Sequence, residues 1–127
     1  MYKWNPEVDA SGMDSLTMFE FPPVCLVELF GRASDSDGYK VSGKHVFTSD
    51  RGDIFTVYDW KQTTLYRGAD SGAPTPEEFW HSRELKFLRI GGKRGSNPHR
   101  FIKWLLGEYE LRTALREFPR ARGNRQP

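Results

Sequence analysis

The chain is predicted to fold as an α+β domain: an antiparallel sheet of about four or five strands, with a short helix and a long C-terminal helix packed on one face. Three observations carry this. The order reads strands first, then a short helix, a further strand and a terminal helix. Two of the β-rich runs flank a short polar segment containing Gly52, a hairpin pattern. The 127 residues suit one domain, and nine Phe, five Tyr and four Trp supply large buried areas to a modest core.

Residues 1–23 lack steady periodicity and are broken by Pro6, Gly12, Pro22 and Pro23. They read as an N-terminal arm laid on the domain, with a helical turn near Asp14–Phe19. The single domain is expected over residues 24–118. Val24 to Phe30 is a dense apolar run of strand length, and it places Cys25 as a buried, inert thiol. Asp35-Ser36-Asp37-Gly38 is a loop tip. The hairpin pairs Tyr39–Thr48 with Ile54–Trp60. In its second run Phe55, Val57 and Asp59 share one face, and Ile54, Thr56, Tyr58 and Trp60 share the other. Both faces are largely apolar, so this strand should be central or covered on both sides. Thr63 to Tyr66 reads as another short strand.

Thr75-Pro76-Glu77-Glu78 is a helix start. Thr75 caps, Pro76 fits the first helical position and Glu78 closes a capping box. That helix is expected to end near Ser82, with Phe79 and Trp80 packed inward. Leu85–Ile90 is the last strand. Asn97 is a good N-cap and Pro98 a good first residue for the terminal helix, where Phe101, Ile102, Leu105 and Tyr109 recur at helical spacing. Gly107 marks a bend or a close packing contact in it. The helix should stop at Phe118, before Pro119. Residues 119–127, with Arg120, Arg122 and Arg125, read as a disordered basic tail.

The formal net charge of +2 hides an asymmetry. Residues 83–127 hold twelve Lys and Arg against four Glu, a net +8, and residues 1–82 carry a net −6. The basic half is either a solvated helix and tail or an electropositive face that draws in phosphates. A single cysteine permits no internal disulfide and no Cys-based metal site, which implies a reducing compartment. With no stretch of membrane-spanning length and no apolar leader, a cytoplasmic location is expected. His45, His81 and His99 form no metal spacing, no metal or other cofactor is implied, and no Ser or Cys nucleophile has a base assigned to it. An enzyme is the least supported class.

The richest stretch is Gly91-Gly92-Lys93-Arg94-Gly95-Ser96-Asn97, between the last strand and the terminal helix. Glycines permit φ > 0, so successive N–H groups can converge on one point. Lys93 and Arg94 add full charges, and the helix N-terminus favours an anion. The stretch is not a Walker loop: Arg94 follows Gly92-Lys93 where Ser or Thr belongs, and Phe87 stands where glycine is needed. It reads either as an anion cradle or as an ordinary strand-to-helix connection that uses glycines to turn. As a cradle, Gly91, Gly92, Lys93, Arg94, Ser96 and Asn97 would hold phosphate, and His99 could donate to it. Phe87 or Trp80 would stack on a base beside Arg89. Arg51-Gly52-Asp53 spells an integrin-binding tripeptide but reads as a hairpin turn. Asp59 reads as a capping or Lys-paired carboxylate.

Gly52-Asp53-Ile54-Phe55-Thr56-Val57-Tyr58-Asp59-Trp60-Lys61, followed by Leu88-Arg89-Ile90-Gly91-Gly92, resembles small phage-encoded proteins that share a TxYD(W/Y)K-like run and a later IGG before a helix. The similarity covers roughly residues 39–106. Some of that group look similar to Thoeris anti-defence proteins, which sequester cyclic ADP-ribose-type immune signals without cleaving them. The resemblance implies a non-enzymatic sponge for a small phosphorylated nucleotide. The alternatives are an interaction module that docks on a host protein complex and a nucleic-acid-binding protein acting through the basic half. No membrane partner is expected, and a homo-oligomer is compatible with the aromatic excess.

Overall fold

The computed structural model describes residues 1–117. The elements run β1 (Tyr2–Trp4), β2 (Asp14–Phe21), α1 (Pro23–Phe30), β3 (Lys44–Ser49), β4 (Ile54–Tyr58), α2 (Thr64–Arg67), α3 (Pro76–Trp80), β5 (Lys86–Gly92) and α4 (His99–Glu117). The strands form one antiparallel sheet in the order β1-β3-β4-β5-β2. The α+β architecture is therefore as the residues imply, with five strands. The expected tail, residues 119–127, and the expected helix end at Phe118 lie outside the described residues.

Strand alternation builds the core. Phe47, Phe55, Val57, Leu88 and Ile90 face the helices and are fully or almost fully buried. α4 lays Phe101 flat on Phe55, with ring centroids 5.0 Å apart and planes 11° apart. Tyr109 meets Phe21 edge-on at 5.2 Å. Val24, Leu26, Phe79 and Trp80 of α1 and α3 complete the same cluster. The opposite face of the sheet, the outer face, carries Thr56, Tyr58, Phe87, Arg89, Met18 and Glu20 by the same alternation. No helix of that core cluster lies on it. The 10–13 and 36–41 loops border it near Thr56 and Tyr58.

Several local elements form as their residues imply. β3 and β4 form the hairpin, with Lys44 opposite Tyr58 and Thr48 opposite Ile54. Its turn is closed by the Gly52 amide donating to Ser49 O at 3.1 Å, and Gly52 takes a φ of 86°. The Arg51-Gly52-Asp53 tripeptide is thus a hairpin turn. β4 is the central strand of the five. The capping box of α3 is complete: Thr75 Oγ1 accepts from the Glu78 amide at 3.1 Å, and Glu78 Oε1 accepts from the Thr75 amide at 2.9 Å. α3 ends at Trp80, two residues before Ser82.

Other readings are corrected. Residues 1–23 are not an arm: they supply both edge strands. The alternation of β2 was hidden by a bulge, because Ser15 pairs with Gly91 while Thr17 pairs with Ile90, leaving Leu16 as the extra residue. Leu16, Phe19 and Phe21 therefore face inward out of phase, so a period of two is not visible. Val24–Phe30 is a helix, not a strand. Pro23 suits the first helical turn, and a short run apolar at every position but Glu28 carries no periodicity to tell strand from helix. Gly31 ends it at φ 130°, where a Cβ would stand 2.9 Å from the Trp4 ring. Thr63–Tyr66 is also helical, since the Thr63 hydroxyl caps the Leu65 amide. Tyr39–Gly43 lies before β3 and outside it. Gly107 makes no close packing contact; it is exposed with nothing within 4 Å of its would-be Cβ. Among the described residues, no helix is long and apolar enough to cross a membrane.

Candidate functional site

The predicted cradle divides when it is built. Gly91 and Gly92 belong to β5, where Gly91 lies between Thr56 and Ser15 and Gly92 between Phe55 and Asp14. Their backbone groups serve two ladders and do not converge on a ligand. This corrects the reading of both as phosphate donors. The glycines are needed for space: a Cβ on Gly91 would come 2.4 Å from Thr56 Oγ1, and one on Gly92 would come 2.7 Å from Leu16 Cδ1. Lys93 to Ser96 is a turn closed by the Ser96 amide donating to Lys93 O at 2.9 Å, with Gly95 at φ 88°. Arg94 Nε donates to Asp14 Oδ2 at 2.9 Å, so its charge is met by a carboxylate of the acidic half. Asn97 Oδ1 accepts from the His99 amide at 2.9 Å and is spent as a cap. Lys93 and His99 are exposed and Ser96 is half-buried, around the entry to α4.

Trp80 is also corrected as a stacking residue. It is 6 % exposed, lies against His45 with centroids 5.6 Å apart, and donates from Nε1 to Ser42 Oγ at 3.1 Å. Phe87 and Arg89 fare differently. The structure brings them together on the outer face, where Phe87 is 55 % exposed.

A cluster that residue-by-residue reading missed surrounds them. Trp60 continues the outer-face parity of Thr56 and Tyr58 just past the end of β4. Three cations stand around its ring: Lys61 Nζ at 5.4 Å, the Arg89 guanidinium at 5.5 Å and Lys40 Nζ at 5.9 Å from the centroid. Lys61 also lies 5.0 Å from the Tyr66 ring, which meets Tyr39 at 5.0 Å. Among the described residues no carboxylate is within ion-pair distance of Lys40, Lys61 or Arg89. Asp37 feels Lys40 at longer range, but its carboxyl is held below the usual value chiefly by the Val41 and Tyr39 amides.

The backbone supports this cluster under strain. Lys61 is the one non-glycine residue with positive φ among those described, at 60°. A left-handed lysine costs roughly 1 kcal/mol and persists only where its surroundings dictate it. Here the Lys61 amide donates to Lys40 O at 2.7 Å, and Arg67 Nε donates to Lys61 O at 2.9 Å. The Gln62 side chain donates to Phe87 O and ties the segment to β5. Arg89 also donates to Ser15 Oγ at 3.3 Å. On the far side of Phe87, Glu20 sits directly opposite it across β2 and β5, exposed and with its carboxylate unbonded. The signal available in the sequence was the parity of Tyr58 and Trp60 combined with Lys61 beyond them.

Hollows adjoin the sheet on both of its faces. One, of about 230 Å³, lies on the outer face where Gly91 has no side chain, between Thr56, Tyr58, Lys44 and the 10–13 loop. Another, of about 530 Å³, lies on the helical side among Val27, Arg32, Ser42, Glu77, Trp80 and His81. Beneath Ser42 is Asp59, fully buried. Burial raises its pKa, opposed by hydrogen bonds from Ser42 and Gly43. Asp59 Oδ1 accepts from the Ser42 amide at 2.8 Å and the Gly43 amide at 3.1 Å, and Oδ2 accepts from Ser42 Oγ at 2.9 Å. With every partner inside the fold, Asp59 is an anchor for the chain entering β3. Among the described residues no cluster of His, Cys, Asp and Glu could hold a metal ion.

Comparison with protein-family models finds no match, and comparison with curated proteins finds none.

Proposed function

We propose that the chain is a non-enzymatic binding protein that captures a small phosphorylated ligand of nucleotide type on the outer face of its sheet. One observation carries the reading: three cations, none ion-paired among the described residues, gather around the single ring of Trp60. Like charges at this spacing repel, and an arriving phosphate relieves that repulsion while making charge-assisted hydrogen bonds. Beside them Phe87 offers an open face for a base, and the neighbouring arrangement of stacking and phosphate contact is the one that single-stranded nucleic-acid sites use. The strained Lys61 backbone supports the same location, since such conformations gather at binding sites. Lys93 and the entry to α4 are left as a minor electrostatic contribution.

The resemblance of residues 39–106 to phage sponge proteins makes cyclic ADP-ribose isomers and cyclic dinucleotides the first ligands to titrate. Calorimetry on the wild type and on a Lys61→Ala/Arg89→Ala variant tests the reading. Heat with a nucleotide, lost in that variant, supports it; no heat with any nucleotide removes it. A second reading, docking on a protein partner, draws on exposed Met18, Leu65, Tyr66 and Phe87. A stoichiometric protein partner recovered by pull-down, with no nucleotide binding, would favour that one.

A further inference from the structure

We infer that the outer face selects guanine nucleotides, with Glu20 reading the base; this rests on the nucleotide-capture reading above. Phe87 lies between two opposite chemistries. On one side, past the end of β4, Lys61 and Lys40 stand around Trp60, and Arg89, two residues along β5 from Phe87, reaches the same ring. On the other, across β5 and β2, Glu20 is its direct cross-strand neighbour. Paired residues in an antiparallel ladder project on the same side, so the Glu20 carboxylate and the Phe87 ring share the outer face. Both are exposed, and Glu20 makes no hydrogen bond or ion pair among the described residues.

The polarity of this face fixes how a nucleotide lies on it. Adjacent strands are about 4.8 Å apart, so Glu20 on β2 and Lys61, just past the end of β4, start two spacings apart, roughly 10 Å, with Arg89 on β5 between them. That matches the span from the pairing edge of a base to its phosphate. The base then stacks on Phe87, the phosphate meets Arg89 and Lys61, and the pairing edge of the base points to Glu20. The reverse orientation puts phosphate against carboxylate and is repelled.

An ionised carboxylate only accepts hydrogen bonds, and it offers two oxygens side by side. Guanine presents two adjacent donors on its pairing edge, the ring N1–H and the exocyclic N2–H. Adenine and cytosine each present one amino donor beside a ring nitrogen lone pair, and uracil presents one N–H between two carbonyl oxygens. A carboxylate therefore gains two charge-assisted bonds with guanine, and with every other base it faces a lone pair. Met18, across from Arg89 and 55 % exposed, gives the base an adaptable apolar neighbour.

The test is calorimetry of the full chain with GMP, AMP, CMP and UMP, on wild type, Glu20→Gln and Phe87→Ala. Both substitutions are at exposed side chains, so folded protein is expected and circular dichroism checks it. GMP should bind about tenfold or more tighter than AMP. Glu20→Gln should abolish that preference while AMP affinity stays the same or improves, and Phe87→Ala should weaken all four. Equal affinity for the four nucleotides, or a guanine preference that survives in Glu20→Gln, overturns the inference and leaves nucleotide capture standing. Binding of none of the four, with heat from a cyclic ADP-ribose isomer, also overturns it alone. Silence from every nucleotide removes both.

Discussion

Asp14 grips Arg94 at 2.9 Å, tying the turn after β5 to the first residue of β2. The pair joins the acidic N-terminal half to the basic C-terminal half at the corner where the glycine-rich stretch had suggested an anion cradle. An exposed ion pair of this kind adds little to stability. Its consequence is for binding, because a guanidinium already facing a carboxylate is a poorer phosphate ligand than one without.

The first prediction follows. Lys93→Ala/Arg94→Ala should change nucleotide affinity by no more than about threefold, whereas Lys61→Ala/Arg89→Ala should lower it by about tenfold or more, the size expected when a charge-assisted bond is lost. Calorimetry in low and moderate salt reads both, and affinity should fall as salt rises. A larger loss in the Lys93/Arg94 variant would return the site to the turn.

Asp59 yields a second. Asp59→Asn keeps an oxygen for the Ser42 and Gly43 amides and can donate to Ser42 Oγ, so it should cost less than about 1 kcal/mol. Asp59→Ala strands three donors and should cost about 2–4 kcal/mol. Urea unfolding compares them. The pH dependence has a definite sign. Burial raises the folded pKa above 3.8, so the native state holds the proton more tightly, and this group's contribution declines as pH rises from about 3.8 through the folded pKa. Asp59→Asn should remove that decline.

His45 acts in the opposite sense. It is fully buried, and Nε2 donates to Gly31 O at 2.8 Å, which leaves Nδ1 without a hydrogen-bond partner among the described residues. Burial lowers its pKa, partly offset by the Gly31 bond. The native state therefore binds fewer protons than the unfolded chain below about pH 6.5, and stability is lost as pH falls from there toward the folded pKa. Unfolding free energies between pH 8 and 5 should show that slope, and His45→Gln, which can still donate to Gly31 O, should flatten it. An unchanged slope would mean that His45 does not govern it.

Gly91→Ala should destabilise by about 1–3 kcal/mol, because its methyl overlaps Thr56 Oγ1 in a closely packed pair of strands. Thr56→Ala in the same chain removes the obstructing oxygen and should restore part of the loss. A double-mutant cycle by thermal unfolding measures this coupling, and strict additivity would contradict the contact.

Gly107→Ala should stabilise. Gly107 lies inside α4, exposed, with nothing near the position of a new methyl. The gain should approach about 1 kcal/mol, read as a rise in the unfolding midpoint. A loss instead would point to a backbone bend at Gly107.

What the amino-acid sequence determined by itself is mostly what neighbours along the chain govern. Thr75, Pro76 and Glu78 specify a capping box within four residues, Asn97 caps α4 two residues on, and the β3–β4 hairpin forms around its own polar turn. The buried apolar core was legible for the same reason, since alternation and helical spacing are local. The tertiary structure decided the rest. A bulge at Leu16 erased the period of β2, and α1, apolar at every position but Glu28, left no face to read. Whether Gly91 and Gly92 line a loop or a sheet depends on strands some thirty-five and seventy-five residues earlier in the chain. The pairing of Asp14 with Arg94, and the gathering of Lys40, Lys61 and Arg89 on Trp60, depend likewise on long-range register. Charge and aromatic content are properties of the chain, but which charges stay without a carboxylate partner is a property of distance in space, and only folding sets that.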